Sequence, residues 1–314
     1  MPTHRIDVHA HYFGGGAVAA LAGKQPPPGA SAPWSAESTL EAMERTGTAV
    51  QILSVPFTPQ SQSGGDAKGL ARRINEDLAT LIEQHPDRFG ALACLPGDDP
   101  DTMLDELAYA LDTLHLDGVG LTSNVTGRYL GNPWFEPLLA ELDHRAVPTL
   151  IHPTNCPHAT ELAQGRHPSV IEYPFDTART ITDALFAGVF HRHPDLALIL
   201  PHLGGPLPAL AWRIAECTTM PGPHDPTTVT PEHVTKVLAA LYYDTAMGGS
   251  PHALLPALQV AGTNHLLFGT DAGAAPPATI DRAITALTTT LHSSDLHAVE
   301  HDNALRLFPR LAAR

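Results

Sequence analysis

Eight short apolar runs, each followed by a stretch of helical character, constrain this chain more than any other feature. The runs are Ile6–Phe13, Ala49–Pro56, Arg88–Pro96, Gly118–Asn124, Val147–Pro153, Ala197–Gly205, Leu241–Ala246 and Leu266–Gly273. Each is only long enough for a strand, and successive runs start about 25 to 50 residues apart, room for one crossover helix each. The helices are predicted over Ser38–Thr46, Leu70–His85, Met103–Leu114, Pro137–Arg145, Thr177–His191, Pro206–Cys217, Pro231–Ala240, Pro251–Ala261 and Thr279–Leu291. The second repeats apolar residues at 70, 74, 78, 81 and 82, one face of a helix. Pro206, Pro231 and Pro251 suit first turns, where a missing N–H costs nothing.

Eight alternations with strands apolar on both faces predict an α/β fold, a (β/α)8 TIM barrel spanning residues 1–314 as one domain. A doubly wound open sheet is the competitor, but no G-x-G-x-x-G follows a strand. Two connections exceed a minimal barrel: Gly14–Ser35 after strand one and Thr154–Asp176 after strand five. Both leave carboxyl ends of strands, where barrel active sites lie, so both are expected to be extended loops covering a pocket.

The formal charge of −15 argues against nucleic acid and anionic membranes as partners. Cys94, Cys156 and Cys217 are odd in number and form no C-x-x-C, which indicates neither a disulfide framework nor a zinc finger. The chain runs directly into its first strand without a signal peptide, and no apolar run reaches 18 residues. A cytoplasmic protein is the expectation.

With 19 histidines in the chain, only position can separate ligands from bystanders. His9 and His11 sit two apart on strand one, so they share a face. Strand five ends in His152, strand six in His202, strand seven in Asp244 and strand eight in Asp271. In a closed barrel these ends meet at one mouth. Three imidazoles and a carboxylate suit zinc or another divalent first-row metal, so His9, His11, His152 and Asp271 are the expected ligands. His202 is expected beside the metal as an acid/base group, with a fifth ligand as the alternative. Gly204 and Gly205 would leave room for substrate beside it, and Asp244 would orient it or serve an ordinary hydrogen bond. Strand four ends Leu121-Thr122-Ser123-Asn124 without a bridging carboxylate, so one metal is expected. His191 and His193 repeat the H-x-H spelling but lie before strand six, as His85 lies before strand three; these read as helix stops.

The motifs Asp7-Val8-His9-Ala10-His11, Leu150-Ile151-His152-Pro153-Thr154, Leu200-Pro201-His202-Leu203-Gly204-Gly205 and Phe268-Gly269-Thr270-Asp271 resemble the amidohydrolase superfamily in its decarboxylase branch. So do the stretches at 128–137, 173–180 and 303–308. That branch includes aminocarboxymuconate semialdehyde, γ-resorcylate and 6-methylsalicylate decarboxylases, and the last type looks nearest. The resemblance implies the same four metal ligands, His202 as the catalytic histidine, and a homodimer. It implies that Arg213 reaches a neighbouring subunit's pocket; an ion pair is the ordinary reading. Some members place an arginine after strand two to clamp a carboxylate, whereas Ser54–Thr58 has none. An aromatic monoacid is therefore the expected substrate, with Phe57 against it and Phe13, Trp34 and Phe175 as candidates for packing the ring.

The implied activity is that of a carboxy-lyase: metal-dependent, non-oxidative decarboxylation of a salicylate-like acid with Zn2+, or Mn2+, as cofactor. Asp271 and His202 are both candidates for delivering the proton. Hydrolysis of a lactone or amide at the same site, or a lyase acting on a natural-product intermediate, is the alternative.

Overall fold

In the computed structural model, residues 4–15, 34–60 and 66–312 are described. Most of the expected loop after strand one, residues 16–33, lies outside them. The eight expected strands are present: β1 (Arg5–His11), β2 (Thr48–Ser54), β3 (Phe89–Cys94), β4 (Gly118–Thr122), β5 (Thr149–His152), β6 (Leu198–Leu200), β7 (Tyr242–Asp244) and β8 (Leu266–Leu267). They pair in parallel in the order β1 to β8. Backbone bonds from Val8 N to Phe268 O and from His11 N to Ala272 O close the seam between β8 and β1. The result is the expected TIM barrel.

The longer helices outside it are α1 (Ala36–Thr46), α2 (Ala67–Gln84), α3 (Pro100–Ala108), α4 (Glu136–Arg145), α5 (Glu172–Phe186), α6 (Leu207–Cys217), α7 (Pro231–Ala240), α8 (Pro251–Ala261) and α9 (Pro277–Thr290). Local chemistry sets their ends. Ser35 caps α1 by accepting from Ser38 N, and Gly47 ends it in the left-handed conformation a Cβ disfavours. Thr230 and Ser250 cap α7 and α8, whose first residues are Pro231 and Pro251. No helix among the described residues is long and apolar enough to cross a membrane.

Two apolar layers show which way each strand faces. Val8, Ile52, Leu92, Leu150, Ile199 and Leu267 pack together inside the barrel with Ile6, Phe308 and Leu311. Leu53, Ala91, Val119, Ile151, Leu200 and Tyr243 pack outward against helices. On β1 and just after it, Ile6 and Val8 belong to the inner layer but Ala10 and Tyr12 to the outer one. A strict alternation would therefore aim His9 and His11 outward. The register with β2 explains why it does not: Asp7 pairs with Gln51 and Ala10 with Leu53, so Val8 and His9 together oppose Ile52. This β-bulge inverts the parity and turns both histidines inward.

Candidate metal centre and active site

The strand ends meet as the topology requires. The rings of His9 and His11 lie 5.1 Å apart, His11 and His152 4.7 Å, His9 and His152 5.3 Å, and His9 and His202 5.2 Å between centroids. Asp271 stands among them: its Oδ1 is 2.9 Å from His11 Nε2 and 3.6 Å from His9 Nε2, and its Oδ2 is 3.5 Å from His202 Nε2. The site is buried; His9 is inaccessible and Asp271 is 8 % exposed.

Four atoms at the cluster, His9 Nε2, His11 Nε2, His152 Nδ1 and Asp271 Oδ1, are buried without an aligned hydrogen bond. Buried polar atoms rarely go unpaired. Lone pairs from several strands aimed at one another are what a cation needs, so the donor set fits a divalent metal. His9, His152, His202 and Asp271 can each offer an atom within 4.8 Å of the others'. His11, expected as a ligand, is not in that group of four, but it makes the shortest approach to Asp271.

Burial opposes charge on His9, yet the Asp244 carboxylate 2.8 Å from its Nδ1 brings its pKa up to about 9. Burial and the neighbouring imidazoles of His11 and His9 hold His152 well below the usual histidine value. Burial alone would raise Asp271; the His11 and His202 rings close beside it outweigh that and hold the carboxyl well below the usual range.

Of the two roles expected for Asp244, orienting His202 or serving an ordinary hydrogen bond, the structure places it in the second, against His9. Its Oδ2 accepts from the ring of His9, and its Oδ1 from the backbone N–H groups of His202 and Ala246. It orients His9 rather than the His202 side chain, because the end of β6 turns away. His202 and Leu203 both have φ of 56°, followed by Gly204 at 71° and Gly205 at 57°. Non-glycine residues seldom take this conformation, and such strain gathers at functional sites. The glycines do not open space for substrate: a Cβ on Gly205 would fall 2.5 Å from Pro174 O, so close backbone packing is what requires glycine.

His11, His152, His202 and Asp271 open onto a cavity of about 930 Å³. Its walls include Phe13, Phe57, Leu70, Pro153, Tyr173 and Pro276, with no arginine or lysine among the described lining residues. Phe57 thus lies where expected. Phe175 does not: it is 45 % exposed and outside the lining, while Tyr173 and Pro174 face the cavity. The cause is that α5 begins at Glu172, five residues before the expected start, so its rotation carries Phe175 away. Pro174 in the first turn was the available signal. Trp34 packs on Tyr12, with ring centroids 4.7 Å apart. Arg213 is exposed on α6 and outside the lining of its own chain's cavity. Gln60, His167 and Tyr173 line the cavity without having been expected there. The loop after β5 is extended as expected, with short helical turns at Ala159–Leu162 and Pro168–Val170.

The amidohydrolase family model matches residues 6–310. The chain belongs to the amidohydrolase family. Among its relatives, decarboxylase yanB of Aspergillus niger is 35 % identical, over 98 % of this chain and 88 % of the relative. The 6-methylsalicylic acid decarboxylase of Penicillium expansum is 33 % identical over 98 % and 97 %. A dihydroxybenzoic acid decarboxylase from a Polaromonas species, solved with manganese and 2-nitroresorcinol, superposes with a TM-score of 0.84. It is 22 % identical over 98 % of this amidohydrolase and 97 % of that chain, a likeness that shows the fold.

Proposed function

We propose that this chain acts as one barrel domain and a carboxy-lyase, removing CO2 without oxidation from an ortho-hydroxy aromatic acid. The carrying observation is an imidazole and carboxylate cluster opening onto an aromatic cavity wall that lacks cations. The chain's relatives that bear decarboxylase names supply the reaction class. We assign His9, His11, His152 and Asp271 as ligands of one divalent metal, zinc with manganese as the alternative. Such an ion, when bound, draws negative charge off the carboxylate and phenolic oxygens of the acid.

The chain's residues do the rest. Phe13 and Phe57 flank the ring and exclude water. Asp244 fixes the tautomer and aim of His9 through its Nδ1. Asp271 is committed to the metal, so we assign proton delivery to His202 Nε2, which lies 3.5 Å from Asp271 Oδ2 at the cavity. The proton goes to the ring carbon bearing the carboxylate. The bond from that carbon to the carboxylate then breaks, its electron pair returns to the ring, and CO2 departs. In a cytoplasmic homodimer, Arg213 of one subunit would supply the cation that the cavity wall of the other lacks.

The test is to incubate metal-loaded protein with a panel of ortho-hydroxybenzoates and simple lactones, following CO2 and ring opening together. CO2 with intact rings is expected. Lactone opening without CO2 from any acid would replace this reading with hydrolysis.

A further inference from the structure

At the bulge that turns His9 inward, the His9 N–H donates to the side chain of Asp7, at 3.1 Å to Oδ1. The same oxygen accepts from Thr270 N at 3.0 Å. The other oxygen, Oδ2, accepts from Gln51 Nε2 at 2.8 Å and from Thr270 Oγ1 at 2.5 Å. Asp7 is inaccessible to solvent. All four partners are donors, which suits a carboxylate with two acceptor positions on each oxygen.

Three of these four bonds come from β1 and the turn that would deliver metal ligands; the fourth comes from Gln51 on β2. β1 carries His9 and His11, and Thr270 immediately precedes Asp271. The Thr270 hydroxyl that donates to Asp7 accepts in turn from Ala272 N at 3.1 Å. It therefore spans Asp271, whose φ is 59°, a conformation that costs energy for any residue but glycine. At this seam β1 and the chain after β8 share one isolated bridge, between Ala10 and Ala272. Ladder pairing is thus least regular where ligand geometry must be most closely set.

We propose that Asp7 is a positioning residue: it stabilises the bulge at Val8–His9 and, through Thr270, the left-handed turn at Asp271, thereby setting the metal-ligand geometry. The inference rests on reading the cluster as a metal centre. Without the carboxylate, His9 N–H and Thr270 Oγ1–H lose their acceptor, and a regular register for β1 would turn His9 outward. Asparagine can replace it. Its oxygen can face the two backbone N–H groups; with the Gln51 amide flipped, its NH2 can donate to Gln51 Oε1, which is buried without a partner, and to Thr270 Oγ1.

The experiment measures Zn2+ affinity by chelator competition, and the visible spectrum of the Co2+ form, for the whole chain and its variants. Asp7→Ala and Thr270→Val are each expected to weaken Zn2+ binding about 10- to 100-fold, in the range for partners that orient metal ligands. Both should alter the Co2+ bands. The double variant should lose much less than the sum, because both changes break one network. Asp7→Asn should remain within about threefold of wild type if the network re-forms as described. Ile6→Ala destabilises the same strand away from the bulge and should leave affinity and spectrum unchanged. Wild-type affinity and spectrum in folded Asp7→Ala would overturn the proposal, as would an equal loss in Ile6→Ala. Failure of wild type to bind Zn2+ or Co2+ would instead overturn the metal-centre reading, and this proposal with it.

Discussion

The chain spells His-x-His twice, and the two copies behave oppositely. His9 and His11 stand at the carboxyl end of β1, buried at 0 % and 1 % exposure, with ring nitrogens aimed at Asp271. His191 and His193 flank the end of a short helical turn, Val189–Arg192, ahead of β6. His191 is exposed, and His193 Nε2 pairs with Glu136 on α4 at 2.9 Å. Spelling does not distinguish them. What differs is the end of the barrel they occupy and the company found there. At the mouth, strand ends from across the sheet converge and a bulge turns two imidazoles inward. At the other end, a proline stops a helix and a surface carboxylate satisfies the imidazole.

His9→Ala tests this contrast most severely. It should abolish metal binding and lower decarboxylation by about 10³-fold or more, the several kcal/mol a Lewis acid supplies. Metal analysis alongside steady-state rates checks both; retained metal would remove His9 from the ligand set. His202→Gln should keep the metal and lower kcat by about 10²- to 10⁴-fold, as for loss of a general acid. Because His202 offers an atom to the same close group as His9, loss of metal in this variant would make it a ligand. Asp244→Asn should weaken metal binding by about 10- to 100-fold, since an asparagine can present the wrong group to His9 Nδ1. An unchanged affinity would leave Asp244 only its backbone bonds to His202 and Ala246. His193→Ala should leave metal and rate untouched and cost about 1 kcal/mol or less in urea unfolding, as for a pair with one solvent-exposed partner. Any loss of metal there would break the distinction between the two ends.

The topology was legible because eight apolar runs with intervening helical periodicity leave few alternatives, and topology alone brought His9, His11, His152, His202 and Asp271 to one rim. Their partners were not legible. Asp7 reads as one more letter of the first motif, and nothing local announces that its carboxylate meets Gln51 and Thr270. The bulge is equally hidden, because it appears only when β1 is set against β2. Asp244 was visible at its strand end, but whether it served His9 or His202 depended on how the chain turns after β6. Phe175 was misplaced because a helix start misjudged by five residues rotates every side chain that follows.

The central claim is that the mouth exchanges a carboxylate for a proton on an aromatic ring. It is tested most directly by turning over an ortho-hydroxybenzoate with the metal-loaded protein in D2O and examining the product by mass spectrometry and NMR. We expect one equivalent of CO2 and an intact phenol with one deuterium at the carbon that carried the carboxylate. A product that keeps its carboxylate and has gained the elements of water would contradict it.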